Sequence, residues 1–157
     1  MNHALFLKQA DALISAEPDA LANAANLSAL LYQQWPDINW AGFYLRRGEE
    51  LVLGPFQGLP ACTRIAWGRG VCGTAAAQQR TLRVADVHAF DGHIACDPTS
   101  ASELVVPLVQ QGRVIGVLDI DSPLKARFDA QDQACAEALV DLYIAALIRY
   151  PAQPPAW

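Results

Sequence analysis

Long apolar runs are missing from this 157-residue chain. A transmembrane helix needs about 18 or more consecutive apolar residues, and the longest candidate, residues 138–148, is interrupted by Asp141. The N-terminus also lacks a basic segment followed by an apolar one, so no secretory signal peptide is predicted. These absences predict a protein without a membrane partner that works in the cytoplasm.

Basic residues, and charge in general, are scarce. Eleven Lys and Arg residues stand against sixteen Asp and Glu, which gives a formal net charge of −5 and a charged fraction of 17%. No basic cluster is larger than Arg46-Arg47. A nucleic-acid binder needs a concentrated basic face, so no nucleic-acid partner is expected. The hydrophobic fraction of 53% excludes an intrinsically disordered chain.

The chain has no Cys-x-x-Cys motif, although it contains the four cysteines Cys62, Cys72, Cys96 and Cys135. In a reducing compartment such cysteines are more typical of catalysis, metal binding or core packing than of a disulfide framework. Cys135 falls on an apolar helical stripe, so it is predicted to be part of the core.

The order of the predicted elements indicates an α+β fold. Apolar residues at helical spacing predict helices over 3–15, 18–34, 71–79 and 129–149. Alternating patterns predict strands over 39–45, 50–53, 62–66, 82–84, 102–110 and 113–121. Glycine and proline predict a loop over 55–60. We therefore expect a central antiparallel sheet flanked by the N-terminal helix pair and the C-terminal helix.

The length fits a single domain. We assign this domain to residues 1–150 and predict that the Pro-rich tail, 151–157, is disordered. The helical first third has an apolar face, which favours a homodimer.

Two aromatic residues share one face of the first predicted strand. Side chains alternate along a strand, so Trp40, Gly42 and Tyr44 point to the same side. The glycine between the two rings predicts a slot for a small apolar group. Ordinary core packing is the alternative interpretation.

Acidic residues end the last predicted strand. Asp119 and Asp121 lie on one face after an apolar run, and Glu103 begins the preceding strand, so it can join them across the hairpin. A solvent-facing edge is the alternative. If the three acids are buried together, their pKa values rise, and they become proton donors near neutral pH and a binding site for an amine.

A long irregular segment over 86–101 carries Cys96. Loops of this length inside a domain are usually functional, and successive backbone N–H groups around Cys96 are expected to bind an anion or stabilise a thiolate. A zinc site built from His93, Cys96, Cys62 and Cys72 is the alternative, although no zinc-knuckle spacing is present.

Four motifs in this order resemble one known family. They are Gly54-Pro55-Phe56-Gln57-Gly58, Gly68-Arg69-Gly70-Val71-Cys72-Gly73-Thr74-Ala75, Asp91-Gly92-His93-Ile94-Ala95-Cys96-Asp97 and Gly116-Val117-Leu118-Asp119-Ile120-Asp121-Ser122. Together with the spacing of the first three cysteines, they resemble the free methionine-(R)-sulfoxide reductases, which are single GAF-domain enzymes. The resemblance extends from the first helix to Arg149.

The resemblance implies a role for each matching residue. Cys96 would be the nucleophile that attacks the sulfoxide sulfur and Cys62 the main resolving cysteine, while Cys72 would be an auxiliary cysteine or an alternative resolving one. Trp40 and Tyr44 would surround the substrate methyl group, with Ile94 and Ala95 contributing to substrate binding. The remaining matches, which would bind the sulfoxide and the amine and assist proton transfer, are Glu103, Asp119 and Asp121.

The implied reaction needs no metal and no organic cofactor. A thiolate reduces the sulfoxide and becomes a sulfenic acid, a second thiol converts this to a disulfide, and an external dithiol, thioredoxin, restores the thiols. Two other interpretations remain: a non-catalytic GAF module that binds a small ligand, and a thiol-based redox sensor without turnover.

Overall fold

The computed structural model describes residues 1–149. The tail predicted over 151–157, together with Tyr150, lies outside the described residues. In the part of the chain that is described, no helix combines the length and the apolar character that a membrane span requires.

Within residues 1–149, four α-helices and six β-strands follow one another in the order that the sequence predicts. The helices are α1 (His3–Ile14), α2 (Ala20–Gln34), α3 (Gly70–Gln78) and α4 (Ala130–Arg149). The strands are β1 (Trp40–Arg47), β2 (Glu50–Gly58), β3 (Arg64–Ala66), β4 (Leu82–Val84), β5 (Ser102–Gln110) and β6 (Arg113–Ser122). A short 3₁₀ helix, Val87–Ala89, follows β4.

The strands form one antiparallel sheet in the order β3-β2-β1-β6-β5-β4. Helices α1, α2 and α4 cover one face of this sheet and share with it a core that includes Phe43, Leu118 and Tyr143. Helix α3 and the connecting loops cover the other face, where Trp40 and Val117 belong to a second core. The predicted α+β architecture is confirmed, and the alternation along β1 and β6 sends every second side chain to the α3 face.

Cys135 lies in the helical core with 3% of its surface exposed. The prediction that it packs as a small apolar residue is confirmed, and burial together with the charge of Asp132 raises the pKa of its thiol to about 11.

The predicted loop over 55–60 is wrong, because β2 continues through Pro55 to Gly58. The pairing of β1 with β2 shifts between Gly42 and Tyr44, so that Gly54 and Pro55 together lie opposite Phe43. A bulge of this kind accepts proline, which has no N–H for the ladder. The irregularity that suggested a loop is therefore a bulge inside a strand.

The other boundaries differ by one or two residues. Helix α2 begins at Ala20 rather than at Pro18, because the Asp19 side chain accepts a hydrogen bond from the Ala22 N–H at 2.9 Å and so caps the helix. Strand β1 begins at Trp40, one residue after the predicted start, and continues to Arg47.

Candidate active site

Strand β1 contributes an aromatic wall to the α3 face of the sheet. The rings of Trp40 and Tyr44 lie 5.9 Å apart at 25°, and Phe56 stacks on Trp40 at 5.2 Å and 13°. A β-carbon added to Gly42 would lie 2.3 Å from Cβ of Phe56. The slot predicted between the two rings is therefore wrong: Phe56 fills the space above the glycine, and the aromatic rings form one continuous surface.

The polar atoms of the wall hold the segment that carries Cys62. Trp40 donates from Nε1 to the carbonyl oxygen of Leu59 at 3.1 Å, and the Tyr44 hydroxyl donates to the carbonyl oxygen of Cys62 at 2.8 Å. Burial, followed by the charge of Asp119, raises the pKa of Tyr44 well above its usual value. Tyr44 thus stays a neutral donor and fixes the backbone at Cys62.

Three carboxyl groups lie together on the same face of the sheet, next to the aromatic wall. In the β5–β6 ladder Glu103 pairs with Asp121, and Asp119 lies opposite Val105. Glu103 and Asp119 are buried, with 8% and 5% of their surface exposed, while Asp121 is half-buried. The predicted alternation thus brings the three acids together, and the solvent-facing alternative is wrong for Asp119.

Burial changes the proton affinity of this acidic cluster. Desolvation raises the pKa of Asp119 to about 6. The pKa values of Glu103 and Asp121 rise well above the usual value, first because of desolvation and then because of the charge of Asp119. At neutral pH Asp119 is therefore mostly ionised, whereas burial favours the protonated forms of Glu103 and Asp121.

Cys72 is the thiol that belongs to the acidic cluster. It lies in α3, is 3% exposed, and its Sγ donates to Oε1 of Glu103 at 3.7 Å. Desolvation, and then the charges of Asp119 and Glu103, raise the pKa of this thiol well above its usual value. A buried thiol of this kind is protonated and a poor nucleophile.

Cys62 and Cys96 form a disulfide, with their Cα atoms 5.3 Å apart. The bond joins the β2–β3 connection to the long loop after the 3₁₀ helix. The zinc site predicted as an alternative, from His93, Cys96, Cys62 and Cys72, is not formed, because two of its four ligands are bonded to each other. Among residues 1–149, the group of side chains that brings metal-ligating atoms together is Cys72, Glu103 and Asp119.

The loop around Cys96 is organised by its own carbonyl groups. The Cys96 N–H donates to the carbonyl oxygen of Ile94 at 3.0 Å, and the His93 N–H donates to that of Phe90 at 3.2 Å. The backbone N–H cradle predicted here is therefore not available at these two positions in the disulfide-bonded protein. Local turn formation satisfies both donors instead.

Of the two other loop residues that the sequence suggested for the site, Ile94 reaches it and Ala95 does not. Ile94 lines the cavity, and a β-carbon added to Gly70 would lie 3.2 Å from its side chain. Gly70 has φ +61°, a conformation that favours glycine, so the loop packs closely on the start of α3. Ala95 is exposed and lies outside the lining of the cavity.

Sequence reasoning missed Asn39, which lies outside the lining of the cavity but contacts the segment that follows Cys96. Its Nδ2 lies 3.3 Å from Oδ2 of Asp97, 3.1 Å from Oγ1 of Thr99 and 3.3 Å from Oγ of Ser100. Its backbone N–H donates to the carbonyl oxygen of Asp121. Asn39 therefore ties the segment that follows Cys96 to the acidic end of β6. The turn-forming Asp97-x-Thr99 pattern was a signal that this segment is ordered, but it did not identify the partner.

The wall, the acids and the disulfide enclose a cavity of about 40 Å³. Its lining also includes His93, whose pKa is lowered first by desolvation and then by the charge of His88. A volume of this size holds one ion or a few water molecules, since each water probe needs roughly 10–15 Å³. A ligand of amino-acid size does not fit this cavity in the disulfide-bonded form.

Comparison with known proteins places this arrangement in a family. The family model for the GAF domain matches residues 14–147. A protein of Escherichia coli (strain K12) named free methionine-R-sulfoxide reductase is 57% identical over 130 residues, which cover 83% of this chain and 79% of that protein.

Two solved structures resemble the whole fold. One is a free methionine-R-sulfoxide reductase from Neisseria meningitidis in complex with its substrate, with a TM-score of 0.92, 43% identity and coverage of 97% of this chain and 93% of that one. The other is fRMsr of Staphylococcus aureus in complex with substrate, with a TM-score of 0.90, 51% identity and coverage of 94% and 96%. The chain therefore belongs to the GAF-domain family and, within it, to the free methionine-R-sulfoxide reductases.

Proposed function

We propose that this protein reduces free L-methionine (R)-S-oxide to L-methionine. The observation that carries the proposal is the Cys62–Cys96 disulfide, which borders a cavity lined by three acids and an aromatic wall. Two thiols that can form a disulfide beside proton donors provide what a sulfoxide reduction consumes, namely two electrons and two protons. The names of the relatives support the same reaction.

The first step takes place at Cys96. Its thiolate attacks the sulfoxide sulfur while the sulfoxide oxygen takes up a proton. The attack forms a bond between Sγ of Cys96 and the substrate sulfur. This bond and the S–O bond of the substrate then break as the hydroxyl group moves to Sγ, so that Cys96 becomes a sulfenic acid and methionine leaves with its sulfur reduced. Glu103 is the proposed proton donor, because it is buried and desolvation raises its pKa, which favours the protonated form.

Cys62 completes the half-reaction. Its thiol attacks Sγ of Cys96, the S–O bond of the sulfenic acid breaks, and water leaves as the disulfide forms. An external dithiol then attacks the disulfide and leaves with a disulfide of its own. We propose thioredoxin as this partner, with no metal or organic cofactor, since the dithiol supplies both electrons.

The acidic cluster also favours a free amino acid over a peptide. An ionised Asp119 within the cavity is a partner for the substrate ammonium group, and a residue inside a peptide has no such group. Trp40 and Tyr44 offer the apolar surface for the methyl group. We therefore expect methionine sulfoxide within a peptide to be rejected.

The test is incubation with the separated R and S epimers of free methionine sulfoxide, with dithiothreitol as reductant. Release of methionine from the R epimer alone, abolished in Cys96→Ser and retained in Cys135→Ser, would support the proposal. The two cysteine variants are matched, because Cys135 is a free thiol in the helical core away from the cavity. Disulfide formation by peroxide without release from either epimer would favour the redox sensor instead.

Two further expectations from the sequence stay predictions. Cytoplasmic location is consistent with a reaction that needs a reducing dithiol. A homodimer would use the exposed apolar side chains of α1 and α2, which are Leu5, Leu13, Leu21 and Tyr32. Light scattering on the wild type and on Leu13→Ser would test whether this face joins two copies.

A further inference from the structure

One side of the cavity holds a thiol and two carboxyl groups arranged as a set of metal ligands. One ligating atom from each of Cys72, Glu103 and Asp119 lies within 4.8 Å of the other two. All three residues are more than nine-tenths buried. The Cys62–Cys96 bond leaves Cys72 as the free thiol of this cavity, since Cys135 is in the other core.

Asp119 offers a buried carboxylate oxygen to a positively charged ligand. Oδ1 of Asp119 is buried and makes no hydrogen bond within residues 1–149. None of the ion pairs among the same residues involves Glu103, Asp119 or Asp121. Buried polar atoms are normally satisfied, and buried carboxylates are paired with cations or bind metals. A positively charged ligand would therefore offset the negative charge of the acidic cluster, which no side chain among the described residues neutralises.

The donor set selects among cations. Thiolate favours zinc and similar borderline metals, whereas magnesium and calcium prefer oxygen ligands alone. With bonds of about 2.3 Å to sulfur and about 2.1 Å to oxygen, a tetrahedral zinc ion has an S···O edge of about 3.6 Å. The distance between Sγ of Cys72 and Oε1 of Glu103 is already 3.7 Å. The third donor, on Asp119, has to move closer by at most about 1.4 Å, since all three ligating atoms lie within 4.8 Å of one another.

We propose that Cys72, Glu103 and Asp119 form a zinc-binding site, with water in the fourth position. On binding, the Cys72 thiol loses its proton to solvent and a Zn–S bond forms. The cavity of about 40 Å³ accepts an ion with a water molecule although it is too small for an amino acid. Zinc therefore binds even while Cys62 and Cys96 are joined.

Zinc at this position inhibits the enzyme. It takes the carboxylates that would otherwise bind the substrate ammonium and receive or donate the proton at the sulfoxide oxygen. This consequence, unlike metal binding itself, rests on the proposed function. Inhibition by zinc is expected to be competitive with free methionine sulfoxide.

Cobalt(II) provides a direct probe that does not depend on turnover. The full-length protein is oxidised to the Cys62–Cys96 disulfide, so that Cys72 and Cys135 are the remaining thiols, and Co²⁺ is added while the near-ultraviolet spectrum is recorded. We expect a thiolate-to-cobalt charge-transfer band that titrates to one ion per chain and is displaced by Zn²⁺. The band should be lost in Cys72→Ser and retained in Cys135→Ser, which removes an equally buried thiol.

The carboxylate variants keep the test decisive if Cys72→Ser does not fold. Glu103→Gln and Asp119→Asn should each weaken Co²⁺ binding at least about tenfold, because loss of even an outer-shell partner costs roughly 10–100-fold. Absence of the band in the wild type, or its persistence in Cys72→Ser, would overturn the zinc site. Neither result would affect the proposed reductase activity, which the epimer assay measures separately.

Discussion

The Tyr44 hydroxyl donates a hydrogen bond to the carbonyl oxygen of Cys62 at 2.8 Å. This bond connects the aromatic wall, which is part of a rigid central strand, to the backbone of one half of the disulfide. Strand β1 lies between β2 and β6 in the sheet, so it is held on both edges. Tyr44 therefore positions Cys62 directly, together with Trp40, whose Nε1 donates to Leu59 of the same segment.

Tyr44→Phe should slow the formation of the disulfide more than the attack on the sulfoxide. The variant keeps the ring and loses the donor, and a net hydrogen bond contributes about 0.5–1.5 kcal/mol, which corresponds to a rate lower by roughly twofold to thirteenfold. The measurement is a single turnover without reductant, in which a dimedone-type probe traps the sulfenic acid on Cys96. We expect a longer-lived sulfenic acid and a nearly unchanged first burst of methionine. Equal effects on both steps would show that Tyr44 acts on the substrate and not through Cys62.

Asn39→Ala should reduce kcat/KM by loosening the segment after Cys96. The amide of Asn39 reaches Asp97, Thr99 and Ser100, and this connection matters most when the disulfide is reduced and no longer holds the loop. Hydrogen exchange over 91–99 should therefore increase more in the reduced variant than in the oxidised one.

A double-mutant cycle distinguishes this role from a general loss of stability. Asn39→Ala and Asp97→Ala remove the two ends of one contact, so their combined effect on kcat/KM should fall short of additivity by about 0.5–3 kcal/mol. Additive effects would mean that Asn39 does not act through Asp97.

Glu103→Gln should lower kcat/KM by about 10²–10⁴-fold, the range typical of general acid catalysis. The variant keeps the size of the side chain and its position opposite Asp121 in the ladder, but it has no proton to transfer. Methionine release from the R epimer is the readout. Glu49→Gln is the control, since Glu49 lies at the exposed β1–β2 turn with 84% of its side chain accessible. A loss of less than about threefold in Glu103→Gln would assign the proton to another group.

The sequence predicts the acidic cluster because it depends on simple periodicity. Alternation along β6 places Asp119 and Asp121 on one face, and the hairpin with β5 brings Glu103 opposite Asp121. An apolar strand that ends in acids is poorly explained as core, so the pattern itself indicates a site. The roles of Cys62, Cys72 and Cys96, which lie on three separate elements, were predicted instead from the resemblance to a family.

Other features depend on long-range contacts that no local pattern contains. Pro55 and its glycine neighbours look like a loop, and only pairing with β1 shows that they form a bulge. Phe56 closes the space over Gly42 because the two residues are register partners, which the sequence of β1 alone does not reveal. Asn39 reaches a loop about sixty residues away. These contacts are set by tertiary packing, which overrides local propensity.

Asp132→Asn should destabilise the protein at neutral pH and have little effect in acid. Asp132 is buried at the start of α4, where Nε2 of His3 lies 3.0 Å from its Oδ1 and Arg127 donates to its Oδ2 at 2.9 Å. Although desolvation opposes the charge, the hydrogen bonds from Asp129, His3 and Arg127 outweigh it, so the pKa of Asp132 lies below the ordinary value of 3.8. A carboxyl with a lowered pKa contributes stability that is fully present above pH 3.8 and is lost as the pH falls through its folded pKa.

Urea unfolding of Asp132→Asn should therefore show a loss of about 2–4 kcal/mol at pH 7, somewhat below the cost of breaking a buried pair because asparagine keeps part of the hydrogen bonding. The difference from the wild type should shrink steadily below about pH 4, whereas Asp141→Asn, at an exposed position of the same helix, should change little at any pH. A difference that stayed constant down to pH 2 would show that the charge of Asp132 does not hold α1 to α4.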